Sequence, residues 1–97
     1  MSSQVNQRDK VIGPVTSVTD GDTFEMDVKR VVSVTGTKYN NHEKIRVQNL
    51  DAPEWNQPGG AAASERLRRR LTGKTVECTV FARDVYHRLV CDVKVIQ

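Results

Sequence analysis

Apolar and polar positions alternate through much of the chain. Phe24, Met26 and Val28 interleave with Glu25, Asp27 and Lys29, the two-residue period of a sheet with one buried face. Upstream, Val11 to Val18 is Val-rich with Gly13 and Pro14 near its start, which predicts an edge strand, and Asp20-Gly21 supplies a turn into the next strand. Val31, Val32 and Val34 extend the second strand toward a long hairpin tip at Gly36 and Lys38 to His42, and Lys44 to Leu50 forms the return strand. Pro53, Pro58, Gly59 and Gly60 mark an irregular loop. A helix follows from about Ala61 to Thr72, with Ala63, Leu67 and Leu71 as its buried stripe and Gly73 at its end. Val76, Cys78 and Val80 alternate with Glu77 and Thr79, a polar loop spans Ala82 to His87, and the last strand runs from Arg88 to about Val95. Residues 1–10 are polar with only Val5 to bury and are expected to be a disordered lead-in, so that residues 11–97 form the single domain.

The order β-β-β-α-β-β is that of a mainly β (α+β) OB-fold-like barrel of five strands, with one helix between the third and fourth. Such barrels commonly bind nucleic acids or oligosaccharides, but fold alone carries no activity. At 97 residues the chain holds one core, and 37% hydrophobic with 28% charged residues fits a globular domain. Fifteen Lys and Arg against twelve Asp and Glu give a net charge of +3, a mild bias that suits a polyanionic partner. No apolar run reaches membrane-spanning length, and Met1 to Lys10 carries no signal-peptide stretch. Two cysteines are too few for a disulfide scaffold and lack CxxC spacing, so Cys78 and Cys91 read as reduced core residues. A hairpin centred between Asp84 and Val85 would set them directly opposite one another.

Three segments carry candidate chemistry: Asp20-Gly21-Asp22-Thr23, Asp51-Ala52-Pro53-Glu54 and Asp84-Val85-Tyr86-His87-Arg88, with Arg46 ahead of the second. Each alone has a plain reading as a turn, a strand exit or a surface charge. Jointly they say more, because antiparallel pairing sets the start of the second strand beside the end of the third. Asp22, Asp51 and Glu54 are then expected to converge where their repulsion calls for a cation. Two carboxylates, a backbone carbonyl such as that of Ala52, and waters suit Ca²⁺, whereas no His or Cys cluster offers a zinc site. Arg46 and Arg88 match phosphate oxygens with planar forks that stay charged.

The stretches DGDTF, IRVQNLDAPE and DVYHR, in this order and followed by LVCDV, resemble the staphylococcal nuclease-like (thermonuclease) family over about Val15 to Val95. The resemblance implies a calcium-dependent phosphodiesterase that cleaves DNA, RNA or both to 3′-phosphates and 5′-hydroxyls. It implies Asp22, Asp51 and the Ala52 carbonyl as metal ligands, and Asp20 holding a metal-bound water. Glu54 matches the residue that activates or orients the attacking water, Arg46 and Arg88 the phosphate-binding pair, and Tyr86 a phosphate-contacting tyrosine.

This sequence departs from the family pattern in four places. His87 stands where the family has Gly, so a backbone conformation open to bulky residues is expected there. Val85 replaces a basic or polar residue, and the hairpin tip from Val34 to His42 is longer than usual. Helices that follow the barrel in many members are absent from this sequence, and the surface they would cover, including Val95 and Ile96, is expected to support self-association as a homodimer. The basic run Arg66, Arg68, Arg69, Arg70 and Lys74 reads first as a solvated helix face and second as a nucleic-acid contact; Trp55 and Tyr39 read as packing residues or base-stacking ones. A non-catalytic barrel that binds single-stranded nucleic acid, or an interaction module with a relic site, are the rival functional readings.

Overall fold

The structure is a computed structural model and describes residues 7–97. Its elements are β1 (Lys10–Asp20), β2 (Thr23–Asp27), β3 (Arg30–Val32), β4 (His42–Val47), α1 (Gly60–Leu71), β5 (Thr75–Arg83) and β6 (Leu89–Val95). Five strands close a barrel in the order β1-β2-β4-β6-β5 and back to β1, and β3 lies alongside the start of β1. All pairs are antiparallel except β4 with β6. The expected five-stranded barrel with one helix is therefore the fold. Phe24, Met26, Ile45, Val76, Cys78, Leu89 and Cys91 fill its interior, and Leu67 and Leu71 of α1 join the same cluster.

The helix follows from composition. Ala, Leu, Arg and Glu are strong helix formers, and Arg68, Arg69 and Arg70 in the last turn oppose the negative end of the macrodipole. Ala63, Leu67 and Leu71 are its buried apolar residues as expected, and Gly73 at φ 76° follows the end. Among the described residues, no helix is long and apolar enough to cross a membrane.

Several expectations are corrected. β1 is not an edge strand: Lys10, Val11 and Ile12 pair with β3 on one side and β5 on the other. Pro14 is tolerated because it falls between Ile12, which faces β3, and Val15, which faces β2, where β1 has no partner on that side. Val31 and Val32 do not prolong β2 directly. The chain breaks at Val28 and Lys29, whose N–H groups donate to the carbonyls of Asn41 and Ile12. Gly13 makes room for this crossing, since a Cβ there would lie 1.8 Å from the Asp27 carbonyl oxygen. The return strand ends at Val47, and Asn49 takes a left-handed conformation at φ 64° in the exit.

Most of the expected lead-in lies outside the described residues, but its end is built into the fold: Lys10 opens β1 and Asp9 is buried. The long hairpin tip folds onto that aspartate. Val34 N–H, Thr35 N–H and the Thr35 and Tyr39 hydroxyls all donate to the Asp9 carboxylate. Burial alone would raise this carboxyl, but those hydrogen bonds outweigh it and hold it well below the usual carboxylate range. Cys78 faces Val93, and Cys91 faces Val80, so the two thiols are offset rather than opposite: Arg83 faces Leu89, which centres the turn on Tyr86 instead of between Asp84 and Val85, and a bulge between Val80 and Ala82 takes back only one residue of that offset. Both are free and buried, and the neighbouring Cys78 together with burial pushes the Cys91 thiol far up.

Candidate active site

The Asp20 to Thr23 turn joins β1 to β2 and packs under α1. Gly21 is required by space, since a Cβ there would lie 2.5 Å from the Ala63 Cβ and 2.7 Å from the Ala52 Cβ. Its missing side chain lets the turn, the Asp51 loop and the helix meet. Thr23 is buried opposite Arg46, and its hydroxyl donates to Asp22 Oδ1 at 2.9 Å while accepting from Arg88 Nη1 at 3.1 Å.

Arg46 faces outward at the far end of β4. Its Nη1 donates to the carbonyls of Val47 and Leu50, which fix the guanidinium on backbone. Nη2 reaches Asp51 Oδ1 at 3.2 Å, and Nε lies 3.5 Å from Asp22 Oδ2. Asp22 and Asp51 thus meet through one guanidinium, and their repulsion is offset by Arg46 before any ion is considered. Among the described residues no three Asp, Glu, His or Cys side chains are grouped closely enough to hold a metal. The expected tight convergence of Asp22, Asp51 and Glu54 is in this respect looser. They do share one cleft of about 300 Å³, lined also by Asp20, Arg46, Ala52 and Arg88. Its donors are all oxygen, the chemistry that suits Ca²⁺.

The Glu54 loop is tied at two points. Trp55 N–H donates to Asp20 Oδ1 at 3.3 Å, and Gly60 at the helix start touches the loop so closely that a Cβ would lie 1.7 Å from the Glu54 carbonyl oxygen. Asp20, expected to hold a metal-bound water, therefore also fastens this loop.

Arg88 is held by Asp84: Nε donates to Oδ2 at 2.8 Å, and the Arg88 and Tyr86 N–H groups both donate to Oδ1 at 2.9 Å. Burial would raise the Asp84 carboxyl, but the Arg88 backbone and guanidinium outweigh it and set it below the usual range. Tyr86 is 74% exposed and its ring lies 5.3 Å from the Arg88 guanidinium carbon, free to meet a ligand. His87 corrects an expectation, since its φ of 66° is left-handed and not a conformation open to any residue. Histidine is among the residues that tolerate it best, and the turn is closed by the His87 N–H to Asp84 carbonyl bond.

Thr23, Asp84 and Lys44 join the site without a role assigned from the sequence alone. Thr23 and Asp84 lie inside the motifs but act on neighbouring side chains, and period-two alternation from Arg46 sets Lys44 on the same outward face. Lys44 lines a second cleft with Thr19, Asp20, Glu54, Tyr86 and Arg88.

The staphylococcal nuclease homologue family matches residues 44–97, the stretch that holds Arg46, Asp51, Glu54, Tyr86 and Arg88. The chain belongs to this family. It is 38% identical over 79 residues to an "Uncharacterized endonuclease" of Escherichia coli, covering 80% of this chain and 44% of the relative. A "Probable endonuclease LCL3" of Arthroderma otae is 32% identical over 109 residues, covering 94% of this chain and 38% of the relative. A protein of the same name from Schizophyllum commune is 33% identical over 100 residues, covering 84% and 34%. The chain spans less than half the length of these relatives.

Proposed function

We propose that the chain is a calcium-dependent endonuclease domain that hydrolyses phosphodiester bonds of DNA, RNA or both. The observation that carries this reading is the pair of arginines, each immobilised by its own anchor, facing one cleft with Glu54 between the metal-type acids and Tyr86. Family membership and the endonuclease names of the relatives support it.

Asp22, Asp51 and the Ala52 carbonyl would hold the calcium ion, with Asp20 reaching it through water. When bound, the ion supplies Lewis-acid stabilisation of a phosphoryl oxygen. Arg46 and Arg88 orient the phosphate with their forks and neutralise charge as it builds on five-coordinate phosphorus. Tyr86 donates to a phosphate oxygen. Glu54 orients a water and takes its proton as the oxygen bonds to phosphorus. The bond from phosphorus to the 5′ oxygen then breaks, Arg88 stabilises that oxygen until it takes a proton from solvent water, Glu54 returns its proton to solvent, and the products are a 3′-phosphate and a 5′-hydroxyl.

Incubation with plasmid and with single-stranded DNA or RNA, in calcium and then in chelator, tests the reading. Calcium-dependent cutting with 3′-phosphate ends is expected. Binding without cutting would make the chain a single-strand-binding barrel, and neither would leave an interaction module. Calcium is also expected to raise the Tm, less so after Asp22→Asn. Self-association as a homodimer is the further part of this proposal, since Val95 and Ile96 are 41% and 46% exposed, and sedimentation at high concentration tests it.

A further inference from the structure

The basic run on α1 divides into two sets. Arg68 Nη1 lies 2.6 Å from Glu65 Oε1, and Arg69 Nε lies 3.3 Å from Glu65 Oε2, so these two are engaged within the helix. Among the described residues, neither Arg66 nor Arg70 has a carboxylate partner within ion-pair distance. They stand four residues apart, one helical turn, and so share a face. That face borders a slot of about 130 Å³ floored by Leu50, Ala52, Ala63 and Leu67. Asp51 and Ala52 line both this slot and the cleft between Arg46 and Arg88, which makes the two contiguous.

We infer that this slot is a strand-binding subsite next to the catalytic cleft, where Arg66 and Arg70 hold a flanking phosphate of a single-stranded nucleic acid and the apolar floor takes the attached sugar or base. The inference rests on the nuclease reading for the strand's entry into the cleft. Charge and shape both point to that occupant. Two unengaged guanidinium forks suit a phosphate, and an apolar floor suits an unpaired nucleotide, whereas a duplex offers mainly phosphates and groove edges. Asp51, the one acid at the rim, is drawn toward Arg46 on the cleft side. A strand would therefore pass from Lys44 and Tyr86, across the arginine pair, to the outer face of α1.

The test is binding of fluorescein-labelled thymidine oligonucleotides of two and eight residues, read by anisotropy in chelator so that nothing is cut. The wild-type chain should bind the longer strand more tightly. Arg66→Ala with Arg70→Ala should weaken binding of the longer strand about tenfold and leave the shorter one as it was. The salt slope for the longer strand should become shallower by about 1.4, as expected when two phosphate contacts on a single strand are lost. Arg68→Ala with Arg69→Ala removes the same charge from the same helix and should do little. The proposal is overturned if wild-type binding does not depend on length, if the first double variant binds as wild type, or if the second loses as much as the first. Cleavage by the wild type in calcium is scored separately. A chain that shows the expected binding pattern but cuts nothing would keep the subsite and sink the nuclease reading, and a chain that cuts with intact binding in the first variant would do the reverse.

Discussion

β4 carries an ionic cluster at each end, and the two differ in the parity of the strand as well as in position. Glu43 shares the inward row with Ile45 and is 3% exposed, whereas Arg46 shares the outward row with Lys44. At the Glu43 end both oxygens of that buried carboxylate are engaged. Arg83 grips both carboxylate oxygens at 2.9 and 3.0 Å, and Asn40 N–H adds a third bond. Asp9, which pins the hairpin tip, is saturated in the same way. At the Arg46 end the guanidinium spreads over two acids and two carbonyls, while Asp51 and Glu54 keep open faces toward solvent. Saturated charges have no capacity left for a ligand and act as ties. Partly satisfied, exposed ones keep that capacity, so the pairing state and not the presence of acids separates the structural cluster from the candidate site.

The largest effect should come from the open end. Glu54→Gln keeps size and removes the basic oxygen, so turnover should fall by about a hundredfold or more with substrate affinity largely kept, as steady-state kinetics would show. Arg88→Lys keeps charge but loses the fork that spans Asp84 and Thr23, and should also slow turnover strongly. Unchanged calcium-dependent cleavage in both variants would remove these residues from the mechanism. At the closed end the loss should be of stability alone. Glu43→Gln leaves Arg83 with a weaker partner at a buried position, costing about 1–3 kcal/mol in denaturant unfolding while activity per folded molecule stays the same. A drop in turnover as large as that of the Glu54 variant would break the distinction between the two ends.

The sequence made the open end more legible than the closed one, for a physical reason. Asp22, Asp51, Glu54, Arg46 and Arg88 sit in short motifs whose spacing is set by neighbouring strand ends, so pairing rules bring them to one cleft. The Asp9 tie joins residues 25 to 30 positions apart through a loop with no regular period, and nothing local announces it. The barrel, the helix and its stripe followed from periodicity. Misread details lay where the chain departs from a simple ladder: the partner change of β1 at Pro14, the crossing under Gly13, and the β5–β6 turn about Tyr86, which offsets Cys78 from Cys91. Each is a one- or two-residue irregularity fixed by packing across strands, which alternation along one strand does not encode.

His87 offers a smaller test of how the Arg88 turn is held. A left-handed residue other than glycine costs on the order of 1 kcal/mol, partly returned by the lower backbone freedom of histidine in the unfolded chain. His87→Gly should therefore leave stability unchanged or raise it by up to about 1 kcal/mol, measured by thermal unfolding. Because Asp84 holds both the Arg88 amide and its guanidinium, calcium-dependent turnover should persist. A destabilised variant would mean that the imidazole itself supports the turn.

The smallest effect belongs to the outward row of β4 at its first residue. His42 Nδ1 lies 2.9 Å from Asp27 and Nε2 lies 2.7 Å from Glu25, so the protonated ring donates to a carboxylate on each side. Those hydrogen bonds, with Asp27 the stronger cause, raise the His42 pKa above its ordinary 6.5 against a small opposing effect of burial. A raised folded-state pKa means that the contribution is complete below the unfolded value and is lost as pH climbs through the folded one. The stability advantage of wild type over His42→Asn should therefore be present at pH 6 and fade as pH rises toward 9. With the ring 48% exposed, solvent screens the pair and the difference should stay below about 1 kcal/mol. Added salt should shrink it further at pH 6 and do little at pH 9. An advantage that grows with pH would show that the neutral ring, acting as a packed side chain, is what stabilises this corner of the barrel.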